Sequence, residues 1–194
     1  MRARMALIHT AAKIEIREIL LKDKPDKMLR ASPKGTVPVL ILDEETVLEE
    51  SMDIMNWCLD DNDAWHAQSV PGYAEISNRL IMRNDNFFKT NLDKYKYGAS
   101  EEKITHRTEA LVFLYELDKL LTNNKNLLSN EISVADIAIF PFVRQFSKID
   151  SEWFNDVEFK YLHGWLNNLL NSDLFESAMK KHPLWSPGAK AVFL

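Results

Sequence analysis

At 194 residues, 46% of them hydrophobic and 27% charged, the chain is long enough for one compact unit or two small domains with a sizeable core. A net charge of −5, acidic in both halves, argues against a nucleic-acid groove, and no run nears the roughly 18 apolar residues of a membrane helix. The single cysteine, Cys58, excludes an intrachain disulfide and fits a reducing compartment.

Residues 1–8 read as an amphipathic helix. Arg2 and Arg4 ahead of Met5-Ala6-Leu7-Ile8 mimic a signal peptide, but the apolar run is short and stops at His9-Thr10, so a cytoplasmic location is expected. Residues 14–20 alternate as a strand does. Pro25 opens a short helix over 25–30. The β-rich runs 37–42 and 46–48 flank Asp43-Glu44-Glu45 and predict a hairpin. Ser51 is placed to N-cap a helix running to Leu59, with Asp53 near the positive end of its dipole.

Asp60-Asp61-Asn62-Asp63 ends that helix, and the stretch to Pro71-Gly72 reads as a linker between domains over 1–62 and 70–194. The second part is helical in period: Ile76, Leu80, Asn84, Phe87 and Phe88 recur at spacings of three and four. Ser133-Val134-Ala135-Asp136 has a hydroxyl at the cap and a carboxylate at N3, the arrangement of a capping box. The run 137–143 is apolar all round, so this helix is expected at the centre of a bundle.

Other chemistries find little support. The five histidines lack metal-ligand spacing and no second cysteine assists them, so no metal is expected. Nucleophile-elbow, dinucleotide and phosphate-loop patterns are absent, and only five glycines exist to build one. Cys58, among Ile54, Met55, Trp57 and Leu59 near a helix end, reads as a packing thiol. Phe87, Phe88 and Tyr95 read as core or dimer contacts before pocket walls.

Two stretches carry a resemblance. Ser32-Pro33-Lys34-Gly35-Thr36-Val37-Pro38-Val39-Leu40, and Leu48-Glu49-Glu50-Ser51 past the hairpin, resemble the glutathione-binding domain of the glutathione transferases, specifically their bacterial or omega-like branch. The resemblance implies an α/β thioredoxin-like N-terminal domain, with its first strand and catalytic turn missing, followed by an all-helical bundle domain. It further implies a homodimer that binds glutathione as co-substrate and acts on an unknown electrophile or disulfide, with no nucleic acid or membrane as partner. By the same resemblance Val37 and a cis-Pro38 would pair with the cysteinyl part of glutathione. Glu50 and Ser51 would hold its γ-glutamyl end, and Lys24 would approach its glycyl carboxylate.

The family's nucleophile lies just ahead of its first helix, and no residue here matches it. The expectation is that translation starts upstream and that Met1 is an internal methionine. The other solution is a sheet rebuilt from the remaining strands or by a partner chain. The function implied is that of a glutathione-dependent transferase or thiol reductase. The alternative is a non-catalytic binding or regulatory module of the same fold, which glutathione affinity would discriminate.

Overall fold

The computed structural model describes every residue except Glu44, Ala67 and Gln68. The chain divides into two compact units, Met1–Asp60 with Asp173–Leu194, and Asp61–Ser172. Residues 173–194 thus cluster with the first unit although they follow the helical one in the chain. That return is a long-range pairing with no local signal.

The first unit opens with α1 (Arg2–His9), which ends in a Schellman arrangement: Ala12 N–H bonds to Leu7 C=O and Ala11 N–H to Ile8 C=O. Ala11, at φ 50°, takes the left-handed position that glycine usually fills there. α2 (Asp26–Ala31) has Pro25 as its cap residue. β1 (Leu40–Ile41) and β2 (Val47–Leu48) pair antiparallel, Leu40 opposite Leu48 and Ile41 opposite Val47. Asp43 tightens the turn by accepting the N–H groups of Glu45 (2.9 Å) and Thr46 (2.7 Å) through Oδ1; the central Glu44 of the expected hairpin turn lies outside the described residues. α3 (Ser51–Cys58) follows. Ala3, Leu7, Leu40 and Ile54 form the core, with Ala12, Ile14, Leu42, Leu48, Cys58 and Leu194 packed against it.

Residues 14–18 keep the alternating burial expected of a strand, which breaks at Ile19, and among the described residues the segment makes isolated bridges, Glu15 to Phe193, Glu18 to Leu184 and Leu20 to Asp23. A ladder needs a neighbour in register along its length, and no such neighbour runs beside this segment among the described residues. Its partner is the end of the chain. Trp185 N–H bonds to Glu18 C=O (2.8 Å), Ile16 N–H to Val192 C=O (2.8 Å) and Leu194 N–H to Ile14 C=O (3.1 Å). Positions 14, 16 and 18 share one edge of an extended segment, so all three bonds lie on the same side. α10 (Asp173–Met179) precedes this tail, and Arg4 joins it to the same segment: Nη1 donates to Ala178 C=O (3.3 Å) and Nη2 pairs with Glu18 (3.0 Å).

The second unit holds α4 (Tyr73–Arg83), a π turn (Asn84–Phe88), α5 (Lys89–Tyr97), α6 (Ser100–Leu120), α7 (Val134–Ser147), α8 (Ser151–Asp156) and α9 (Leu162–Leu170). Its centre is aromatic. Phe146 lies 5.5 Å from Phe88, 5.3 Å from Tyr95 and 6.2 Å from Phe154 between ring centres. Phe88 and Tyr95 are therefore core, as the spacing suggested. The capping box forms, with Ser133 N–H donating to Asp136 Oδ2 (2.9 Å). Asp136, fully buried, also accepts the Leu127 N–H (2.9 Å) and the Trp165 indole N–H (2.8 Å) on Oδ1. Burial pushes its carboxyl above the usual range, against the pull of these donors. Among the described residues no helix is long and apolar enough to cross a membrane.

Candidate functional site

The surface between α2 and α3 gathers the residues singled out in the sequence. After α2, Gly35 adopts φ +61°, a backbone conformation that suits glycine, and turns the chain toward β1. Lys24 packs its carbon stem on this glycine: a Cβ placed there would sit 3.7 Å from Lys24 Cδ and 3.4 Å from Leu29 Cδ2. The expected Lys24 thereby lies against a glycine that stands two residues before Val37. The Val37–Pro38 bond is cis, Val37 is 48% exposed and Pro38 half-buried. Thus Val37 is exposed three residues before β1.

On the other side of the hairpin stand Glu50 and Ser51. Here the structure corrects the cap assignment: the first helical bond of α3 runs from Ile54 N–H to Glu50 C=O, so Glu50 is the cap residue and Ser51 the first residue of the helix. No side-chain hydrogen bond caps α3. Its first-turn N–H groups have no acceptor within the helix, and the same turn holds the half-buried Ser51 and the exposed Asp53.

Residues that the sequence reading passed over tie the two sides together. Ser32, fully buried, donates its hydroxyl to Glu49 Oε1. Lys34 Nζ lies 3.2 Å from Glu50 Oε1 and 3.8 Å from Glu49 Oε2. These contacts raise the Lys34 pKa, the Glu50 hydrogen bond contributing most and the Glu49 charge next. Two carboxylates against one ammonium leave the spot net negative, so it suits an additional cation beside an exposed helix N-terminus that suits an anion. The clue in the sequence was the lysine just before the glycine of Ser32-Pro33-Lys34-Gly35, three residues ahead of Val37.

Cys58 lies away from this cluster, at the C-terminal end of α3, half-buried against the core with Sγ 3.4 Å from Met55 C=O. A helix C-terminus disfavours a thiolate, which agrees with its reading as a packing thiol. Among the described residues no His, Cys, Asp and Glu group with the makings of a metal site occurs.

Comparison with known proteins points the same way. Family models match twice: "Glutathione S-transferase, N-terminal domain" over residues 1–66 and "Glutathione S-transferase, C-terminal domain" over residues 79–173. Among curated proteins none matches the sequence. Solved structures share the fold at low identity. Glutathione transferase Omega 3C from Trametes versicolor aligns with a TM-score of 0.79 at 15% identity, over 95% of this chain and 86% of that one. The glutathione-S-transferase from Xylella fastidiosa gives 0.77 at 16%, over 92% and 91%. Gtt2 from Saccharomyces cerevisiae gives 0.69 at 20%, over 92% and 94%. With both halves matched in order, and with a thioredoxin-like unit followed by a helical one, the chain belongs to the glutathione S-transferase family.

Proposed function

We propose that the first unit binds glutathione across the α2–β1 and β2–α3 loops, and that the chain serves glutathione-dependent transferase or thiol-reductase chemistry. In this reading the backbone of Val37 pairs with the cysteinyl part, and Pro38 keeps that edge clear of a neighbouring strand. The ligand's ammonium sits on Glu50, and its γ-glutamyl α-carboxylate takes the Ser51 hydroxyl and the N–H groups of the first turn of α3. Lys24 reaches the glycyl carboxylate from beyond Gly35.

The observation that carries the reading is the joined pair of loops: Ser32 on Glu49 and Lys34 on Glu50 hold the Val37 loop beside the start of α3. Lys34 then has a definite part. It occupies Glu50 in the free protein, and the incoming ammonium displaces it toward Glu49 or toward the ligand's own carboxylate. Both Lys34 and Glu50 are well exposed, so this exchange is cheap.

The chemistry that follows is positioning. A thiol held against Val37 meets its electrophile or disulfide as an effectively intramolecular partner, which lowers the barrier. No residue within 1–194 is assigned the task of activating that thiol. The second substrate is an unidentified electrophile or disulfide, and a cytoplasmic homodimer is part of the same reading.

Isothermal titration of glutathione into the purified protein tests it. Glu50→Ala is expected to weaken binding about 10-fold, and Ser51→Ala about 3-fold, as expected for loss of charge-assisted hydrogen bonds at an exposed site. Equal affinity in wild type and Glu50→Ala, or no glutathione binding at all, would overturn the reading.

A further inference from the structure

We propose that residues 192–194 are a releasable brace for the hairpin that carries the glutathione anchors, so that docking of this tail sets glutathione affinity. The inference rests on the glutathione reading above and adds a means of regulating that site.

The brace is a short strand. Ile16 N–H and Leu194 N–H bond to Val192 C=O and Ile14 C=O, and Phe193 bridges Glu15 in the antiparallel sense. Its side chains alternate accordingly. Val192 and Leu194 are half-buried, while Phe193 is 50% exposed, with the Lys13 ammonium 5.7 Å from its ring centre. Leu194 packs on the core of Leu7, Leu40 and Ile54, where Leu42 and Leu48 also pack. Leu40 stands two residues after Pro38, Leu48 two before Glu50, and Ile54 three after Ser51. The brace therefore shares one core with the elements that carry the proposed anchors.

The attachment is also built to let go. Residues 192–194 are joined to the 14–16 segment by the two main-chain bonds just named, and farther back Trp185 N–H bonds to Glu18 C=O, with the Arg17 guanidinium 5.0 Å over the Trp185 ring. Between these points the chain leaves the surface through a turn in which Ala189 N–H bonds to Ser186 C=O and Gly188 takes φ +82°. That exposed turn is a hinge about which residues 190–194 can lift without disturbing Trp185. A docked tail fixes the shared core and a lifted one loosens it, so tail and ligand bias one two-state element. By linkage the coupling is reciprocal: glutathione must tighten the brace by the factor by which the brace tightens glutathione.

Hydrogen exchange and glutathione titration on the full chain test this together, with Leu194→Asp, the milder Leu194→Ala, and Phe193→Ser as the exposed control. Leu194→Asp is expected to speed exchange at Ile16 and at Leu42, whose N–H bonds to Thr46 in the hairpin, and to weaken glutathione about 5-fold or more. Leu194→Ala should do the same to a smaller degree, and Phe193→Ser should change neither. In wild type, saturating glutathione should slow exchange at Ile16. Faster exchange at Ile16 with Leu42 unchanged would overturn the brace, and so would faster exchange at both with unaltered glutathione affinity. If the wild type binds no glutathione, the binding reading falls, and the Leu42 response alone decides whether the tail braces the hairpin.

Discussion

The two units are held together in different ways. Residues 61–172 bury an aromatic centre, with Phe88, Phe113, Phe140 and Phe146 all fully covered and the first half of α7, Val134 to Phe140, buried without a break. The first unit has a smaller core, strands of two residues each, and a segment pinned at isolated bridges. The helical unit is stiff because each helix closes its own hydrogen bonds and needs only a face to bury. The first unit depends on pairings between distant parts of the chain, so it opens locally at lower cost, and the proposed ligand site is in this more easily opened half.

Cavity-forming changes put that difference to a test. Phe146→Ala, which removes the ring at the centre of the aromatic cluster, is expected to cost about 3–5 kcal/mol, and Ile54→Ala in the first unit about 2–4 kcal/mol. The informative comparison is hydrogen exchange. Phe146→Ala should raise exchange throughout the helical unit, whereas Ile54→Ala should raise it chiefly in the hairpin and α3. Uniform exchange from either variant would break the contrast between a stiff unit and one that opens piecemeal.

A smaller effect is expected at Asp118. From α6 its carboxylate accepts the N–H groups of Tyr161 (2.7 Å) and Leu162 (2.7 Å), and of Lys160 (3.2 Å), covering the start of α9. Asp118→Ala should cost about 1–2 kcal/mol in urea unfolding, the typical loss of a cap. A neutral result would mean that water replaces the carboxylate there.

The pH dependence sharpens the comparison least but has a definite sign. Because burial raises the carboxyl of Asp136, the folded state binds that proton more tightly than the unfolded chain does. Its contribution is fullest below the unfolded carboxyl value of about 3.9 and declines as pH rises through the higher folded value. The stability of wild type relative to Asp136→Asn should therefore shrink between acid and neutral pH. A gap that widens instead would show that the hydrogen bonds to this carboxylate outweigh its burial.

How much of this was legible depended on distance along the chain. The capping box was readable because Ser133 and Asp136 are three residues apart, and the hairpin because its turn lies between two short apolar runs. The proposed anchors Val37, Pro38, Glu50 and Ser51 are readable as motifs, and in the structure Val37 and Pro38 precede β1 while Glu50 and Ser51 open α3 in the same unit. What escaped was contact between strangers: Lys34 with Glu50, Asp118 with the start of α9, and residues 192–194 with 14–16. Register between segments more than a hundred residues apart leaves no local trace, since any extended stretch offers the same N–H and C=O groups. Ser51 was misread as the cap by one position, a slip that the local pattern allows because Glu50 and Ser51 are both polar.

The buried carboxylate of Asp136 has one more consequence. Its oxygens hold Leu127 in the loop before α7, Ser133 at the start of α7 and, much farther along the chain, Trp165 in α9. None of these donors can leave without stranding a charge or a polar group in a dry interior. The loop, α7 and α9 should accordingly behave as a single foldon, with the Leu127 and Ser133 amides exchanging through one shared opening of the same free energy.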